Sequence, residues 1–92
     1  MISAIVLIHA DVDQIPEVAS ALVEIDGVSE VYSVAGSVDL IAMVKVREHE
    51  QLADVIADRI GKVAGVTATD THIAFRTYSK EDLGAAFSLG VE

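Results

Sequence analysis

The residues around Gly27 recur around Gly65 at a constant offset of 38 positions, the spacing of the two glycines themselves. At that offset Ala4 matches Ala42, Val6 matches Val44 and Ile8 matches Val46; further on, Val18 matches Ile56, Ala19 matches Ala57, Leu22 matches Ile60, Ile25 matches Val63 and Val28 matches Val66. The first three pairs alternate along the chain, as one face of a strand does, and the next four recur at helical spacing. Each half therefore reads as strand, helix, strand.

Positions 2–10 are apolar and β-branched on both alternating faces, which predicts a strand covered on both sides. Ile15, Val18, Ala19, Leu22 and Ile25 predict a helix over 14–25, with Asp13 as its N-cap and Pro16 in a first turn that tolerates it. Asp26-Gly27 ends this helix, because glycine accepts the left-handed backbone of a C-terminal cap. A second strand is expected over 28–35, a turn at Gly36-Ser37, a third strand over 39–47, and a second helix over 50–63 with Leu52, Val55, Ile56, Ile60 and Val63 on one face. After Gly65 a fourth strand is expected over 66–78. Ser79 and Asp82 have the form of a helix start that reaches about Ala86, followed by a tail over 87–92. The order βαββαβ predicts an α+β, ferredoxin-like single domain over 1–92: a four-stranded antiparallel sheet with both helices on one face, plus the short C-terminal helix and tail.

Two helices cover only one face of such a sheet. The repeat points Ala4, Val6, Ile8, Ala42, Val44 and Val46 towards them, which leaves Ile5, Leu7, Ile41 and Met43 on the other. The chain is 52% hydrophobic, and a domain of this length buries only roughly two-thirds of the surface its unfolded form exposes. An apolar patch of this kind marks an association surface, and a terminal helix as short as the one expected here covers too little of a four-stranded sheet to replace a partner. A homodimer through Ile5, Leu7, Ile41 and Met43 is the expectation.

With no cysteine there is no disulfide framework and no thiolate site, and a reducing cytoplasm is the compartment that suits the composition. The apolar start lacks a basic flank, is interrupted by Asp11 and Asp13, and is too short to span a bilayer. A net charge of −9 repels phosphate backbones, so neither direct nucleic-acid binding nor a membrane partner is expected. Glu48, Glu50, Asp54 and Asp58 read as the hydrated face of the second helix.

The turn Gly36-Ser37-Val38-Asp39 has the parts to recognise an amino acid: backbone N–H groups for a carboxylate and Asp39 for an ammonium. The same residues also make an ordinary hairpin turn. His9 and His72 lie on strands that neighbour one another in a split βαβ sheet, yet two histidines do not complete a zinc site, and no metal or other cofactor is expected. His9, His72 and Tyr32 are candidates for an acid or base, but none stands in a catalytic motif, so no catalytic residue is assigned. A small ferredoxin-like enzyme of the oxygenase or isomerase type and a ligand-free adaptor are the alternative classes.

Three stretches together carry a resemblance. They are the helix end followed by Gly27-Val28, the run G-S-V-D-L-I-A-M-V-K-V over 36–46, and the run G-V-T-A-T-D-T-H-I-A-F over 65–75. Across 2–78 the chain resembles the effector-binding domain of the Lrp/AsnC transcriptional regulators, in the form that stands alone without the DNA-binding winged helix. The family turn is Gly, any residue, an aromatic, then Asp, and Gly36 and Asp39 fit it, as Thr69 and Thr71 fit the T-x-T of the last strand; Val38 departs from it. The resemblance implies a dimeric α/β barrel type of assembly, with dimers joined into an octamer or similar ring. It further implies an amino acid effector held between dimers by Gly36, Ser37 and Asp39 with Thr69 and Thr71, and a full-length Lrp/AsnC regulator as a partner.

Overall fold

Strands and helices follow one another as β1 (Ile2–Ala10), α1 (Ile15–Val23), β2 (Val28–Ser33), β3 (Leu40–Val46), α2 (His49–Ala53) and β4 (Val66–Ala74). The computed structural model describes residues 1–80, so the helix expected to reach Ala86 and the tail over 87–92 lie outside the described residues. The four strands form one antiparallel sheet in the order β2-β3-β1-β4. The two βαβ halves are thus interleaved, with β1 and β3, the first strand of each half, at the centre.

The faces divide as the repeat predicts. Ala4, Val6, Ile8, Ala42, Val44 and Val46 are buried against Val18, Leu22, Leu52, Val55 and Ile60 from the helices, and no polar or charged residue shares this core among the described residues. Each fully buried Val, Leu or Ile contributes roughly 1.5–3 kcal/mol relative to exposure. Both outer strands are shorter than the apolar pattern suggests, because a strand ends where its partner does. β2 stops at Ser33, whose partner Leu40 opens β3, and β4 stops at Ala74, opposite Ser3 near the start of β1. Phe75 and Tyr78 beyond it are exposed.

Two local expectations are corrected. Asp13 is not the N-cap of α1: it lies inside a 3-10 turn, Val12–Gln14, which Asp11 opens by accepting from Gln14 N at 2.9 Å, and no side chain caps α1. The second helix is not one regular α-helix over 50–63. It is α-helical over His49–Ala53, π-helical over Asp54–Arg59 and 3-10 over Ile60–Lys62.

The π turn follows from the spacing of the core contacts. In α1 the buried residues Val18 and Leu22 are four apart, whereas their counterparts Val55 and Ile60 are five apart and also buried. Widening one turn to i→i+5 hydrogen bonds absorbs the extra residue. The spatial counterpart of Val18 is therefore Val55, and Ile56, its match in sequence, is only partly buried.

The two helix-ending glycines show the same exchange. A Cβ on Gly65, which has φ +98°, would stand 2.6 Å from Val18 Cγ2; on Gly27, with φ +99°, it would stand 3.0 Å from Val55 Cγ2. Each glycine thus ends one helix and lies beneath the other. Both the backbone conformation and the close approach exclude a side chain there.

Candidate functional site

Asp39 makes three hydrogen bonds, one that closes the turn between β2 and β3 and two that tie the turn to the end of β1. Val34 N donates to Asp39 O at 3.1 Å, Asp39 N donates to Ile8 O at 3.0 Å, and Ala10 N donates to Asp39 Oδ2 at 2.9 Å. The register explains the last bond. Ile8 and Leu40 are the final β1–β3 pair, so beyond them the Ala10 N–H has no strand to meet, and the Asp39 carboxylate takes its place. A β-bulge between His9 and Ala10 on the β4 side marks the same point.

Asp39 thus has a structural role that the sequence reading did not assign to it. One carboxylate oxygen holds the protein's own backbone, and among the described residues Oδ1 has no hydrogen-bond partner, so it remains available to a ligand. Gly36 and Ser37 are exposed, while Val38 and Asp39 are half-buried. Gly36 has φ +140°, and a Cβ there would meet nothing within 4 Å. The space above Gly36 is open, and the backbone alone requires the glycine.

Thr69 pairs with Ile8 and Thr71 with Val6, so both threonines stand on the helix-covered face, Thr69 exposed and Thr71 half-buried. β1 separates them from β3. Two strand spacings put Thr69 roughly 10 Å from the Asp39 backbone. One chain therefore brings Gly36, Ser37, Asp39 and Thr69 to the same end of the sheet without direct contact between turn and threonine, and Thr71 lies two residues further away.

The histidines do not converge. His9 pairs with Ala68 and His72 with Ile5, four residues apart along β1, or about 13 Å. His72 Nε2 instead lies 3.3 Å from Asp70 Oδ2 on its own strand, with both side chains well exposed. His49 begins α2 after the far end of β3. Among the described residues no three of His, Cys, Asp and Glu are placed to hold a metal ion. Tyr32 donates to Glu30 Oε2 at 2.8 Å, and that hydrogen bond, with the carboxylate's negative charge, holds its phenol above the usual range.

On the face away from the helices, two rows cross the sheet. One runs Glu30, Met43, Ile5, His72; the other runs Tyr32, Ile41, Leu7, Asp70. Ile5, Leu7, Ile41 and Met43 form a half-buried apolar block on the central strands, with polar residues on both edges. Sequence reading located that block. It missed the Ala10 N–H, since a backbone group carries no signature until the register brings Asp39 beside it.

Known proteins are similar to this chain in sequence and fold. The profile of the Lrp/AsnC ligand binding domain matches residues 3–83. The HTH-type transcriptional regulator FL11 of Pyrococcus abyssi is 32% identical over 77 residues, which are 84% of this chain and 50% of FL11. Among solved structures, TTHA0845 from Thermus thermophilus is 40% identical with a TM-score of 0.82, over 87% of this chain and 100% of that one. A feast or famine regulatory protein of M. tuberculosis (Rv3291c), complexed with L-methionine, is 33% identical with a TM-score of 0.71, over 87% of this chain and 54% of its own. This chain spans about half the length of the curated relatives it matches. No helix among the described residues is long and apolar enough to cross a membrane. The order of its strands, the turn at Gly36–Asp39 and the match across 3–83 converge: the chain belongs to the Lrp/AsnC family and carries that family's ligand binding domain.

Proposed function

We propose that this chain is a non-catalytic sensing and oligomerisation module, which binds an amino acid at the turn formed by Gly36, Ser37 and Asp39 and couples that binding to assembly. The observation that carries the reading is the bond from Ala10 N to Asp39 Oδ2. It fixes the turn in advance, leaves Oδ1 to meet an ammonium, and stands beside an exposed glycine whose backbone a carboxylate can approach. A preformed site loses less ordering entropy on binding. The complex of the M. tuberculosis relative with L-methionine supports an amino acid as the effector class.

The sheet face bearing Ile5, Leu7, Ile41 and Met43 forms a homodimer. Dimers then join into an octamer or similar ring, in which Thr69 and Thr71 of one copy complete the pocket at the turn of another. The roughly 10 Å between turn and threonine within one chain favours such a shared pocket. Regulation of transcription then proceeds through a full-length Lrp/AsnC regulator in the cytoplasm. The net charge of −9 disfavours direct binding of this chain to a nucleic-acid backbone.

Calorimetry against the proteinogenic amino acids, L-methionine included, tests the reading when paired with sedimentation. A ligand that prefers the assembled state must shift assembly by its differential affinity. Asp39→Asn keeps an acceptor for Ala10 N but removes the charge, so it should weaken binding while the turn stays formed. Equal affinity in parent and variant would remove Asp39 from the site.

A further inference from the structure

We propose that a cleft at the opposite end of the sheet is a second binding site, which takes a small oxyanion, a carboxylate or a phosphate, on Arg47 and Arg59. The cleft encloses about 340 Å³ between the end of β3, the start of β2 and the second helix. It lies beyond the Ile2–Val46 pair, whereas the Gly36–Asp39 turn lies beyond the Ile8–Leu40 pair. Six residues of strand, roughly 20 Å, separate the two.

Charge singles out this cleft. Lys45, Arg47 and Arg59 line it, half of the six lysines and arginines in a chain of net charge −9. Asp26 and Asp54 are also in its wall; Lys45, opposite Ser3 in the register, stands on the sheet face away from the helices, so the positive charge offered to a ligand is that of Arg47 and Arg59. Among the described residues none of the three cations is in an ion pair; the single ion pair there is His72 with Asp70. The charges of the two arginines are left for a ligand.

Local structure positions the two arginines. Gln51 Oε1 accepts from Arg47 N at 2.9 Å and from Glu48 N at 3.0 Å, which ties the start of α2 to the end of β3. Asp54 and Arg59 are the two ends of the π turn, and the widened turn sets the direction from which Arg59 approaches. Such turns recur at functional sites because they re-aim side chains at a local cost in hydrogen bonding. Val46 and Val55 supply an apolar floor, beside which Gly27 keeps the backbone close.

The repeat shows that the scaffold does not require these cations. At the offset of 38, Lys45, Arg47 and Arg59 correspond to Leu7, His9 and Ala21, on a half that forms the same strand-helix-strand order without them. A guanidinium presents a planar fork that matches carboxylate and phosphate oxygens two at a time, whereas lysine adds a point charge. The apolar floor suits a ligand with a short carbon body.

Amide NMR titrations of the whole chain test this, with inorganic phosphate and succinate as probes and sodium chloride at equal ionic strength as control. Saturable shifts at Gly27, Arg47, Gln51 and Arg59 are expected with one or both probes. Saturation by phosphate alone assigns phosphate esters, saturation by succinate alone assigns carboxylic acids, and saturation by both assigns the shared oxyanion chemistry. The double variant Arg47→Gln, Arg59→Gln should weaken binding by at least about tenfold, with the core amides unmoved as a check of folding. Asp39→Asn should leave this binding unchanged, which keeps the test independent of the effector turn. Shifts that grow linearly and match those with chloride, or that persist in the double variant, would overturn the proposal.

Discussion

Asp39 Oδ2 accepts a hydrogen bond from Ala10 N at 2.9 Å, across 29 positions of sequence, and so extends the β1–β3 ladder one step past its last backbone pair. The residue proposed to meet the ligand is thereby also a structural tie. A single alanine variant would mix the two roles.

Asp39→Ala should lower the unfolding free energy by about 1–2 kcal/mol, the net value of a hydrogen bond to a charged acceptor that is partly exposed. Asp39→Asn should lose clearly less, because its amide oxygen still accepts from Ala10. Urea denaturation with an unchanged slope measures both. An alanine variant as stable as its parent would show that the bond does not hold the turn.

The glycines should separate by mechanism. At Gly36 a methyl group meets nothing within 4 Å, so Gly36→Ala carries only the cost of positive φ, about 1–2 kcal/mol. At Gly65 the methyl would stand 2.6 Å from Val18 Cγ2, which adds about 1–3 kcal/mol of overpacking. Thermal melts should therefore rank Gly65→Ala well below Gly36→Ala. Adding Val18→Ala to Gly65→Ala should cost less than Val18→Ala does alone, since residues in contact are not additive.

Leu7→Lys and Met43→Lys place an ammonium in the apolar block on the open face. Burying it unpaired in a dimer interface costs several kcal/mol, so light scattering should report monomer for either variant and dimer or larger for the parent. Glu17→Lys, on an exposed position of α1, is the control and should keep the parent's mass. A parent that is monomeric at micromolar concentration would remove the interface.

The π turn predicts an asymmetry between the helices. Deleting Ala57, an exposed residue within Asp54–Arg59, restores four-residue spacing between the two buried positions and should give a folded protein at least as stable as the parent. Deleting Ala21, an exposed residue between the buried Val18 and Leu22 of α1, rotates Leu22 out of the core and should unfold the chain. Circular dichroism of the two deletions decides this, and equal outcomes would contradict the account of the π turn.

The pattern of residues alone determined the repeat, the alternation that buries Ala4, Val6 and Ile8, and the apolar block at Ile5, Leu7, Ile41 and Met43. These follow from a period of two or of 3.6, which a linear chain records directly. The likeness at Gly36 and Asp39 was legible for the same reason, as spacing within one short segment.

Tertiary structure decided what depends on register and on contact between distant segments. That Asp39 would meet Ala10, that His72 would face Ile5 rather than His9, and that Val55 rather than Ile56 would answer Val18 all depend on how strands slide and helices turn against one another. A one-residue change in register exchanges the two faces of a strand, and one extra residue in a helix rotates every contact beyond it by about 100°. The energy that selects among such alternatives comes from packing of the whole core, and no local stretch of sequence contains it.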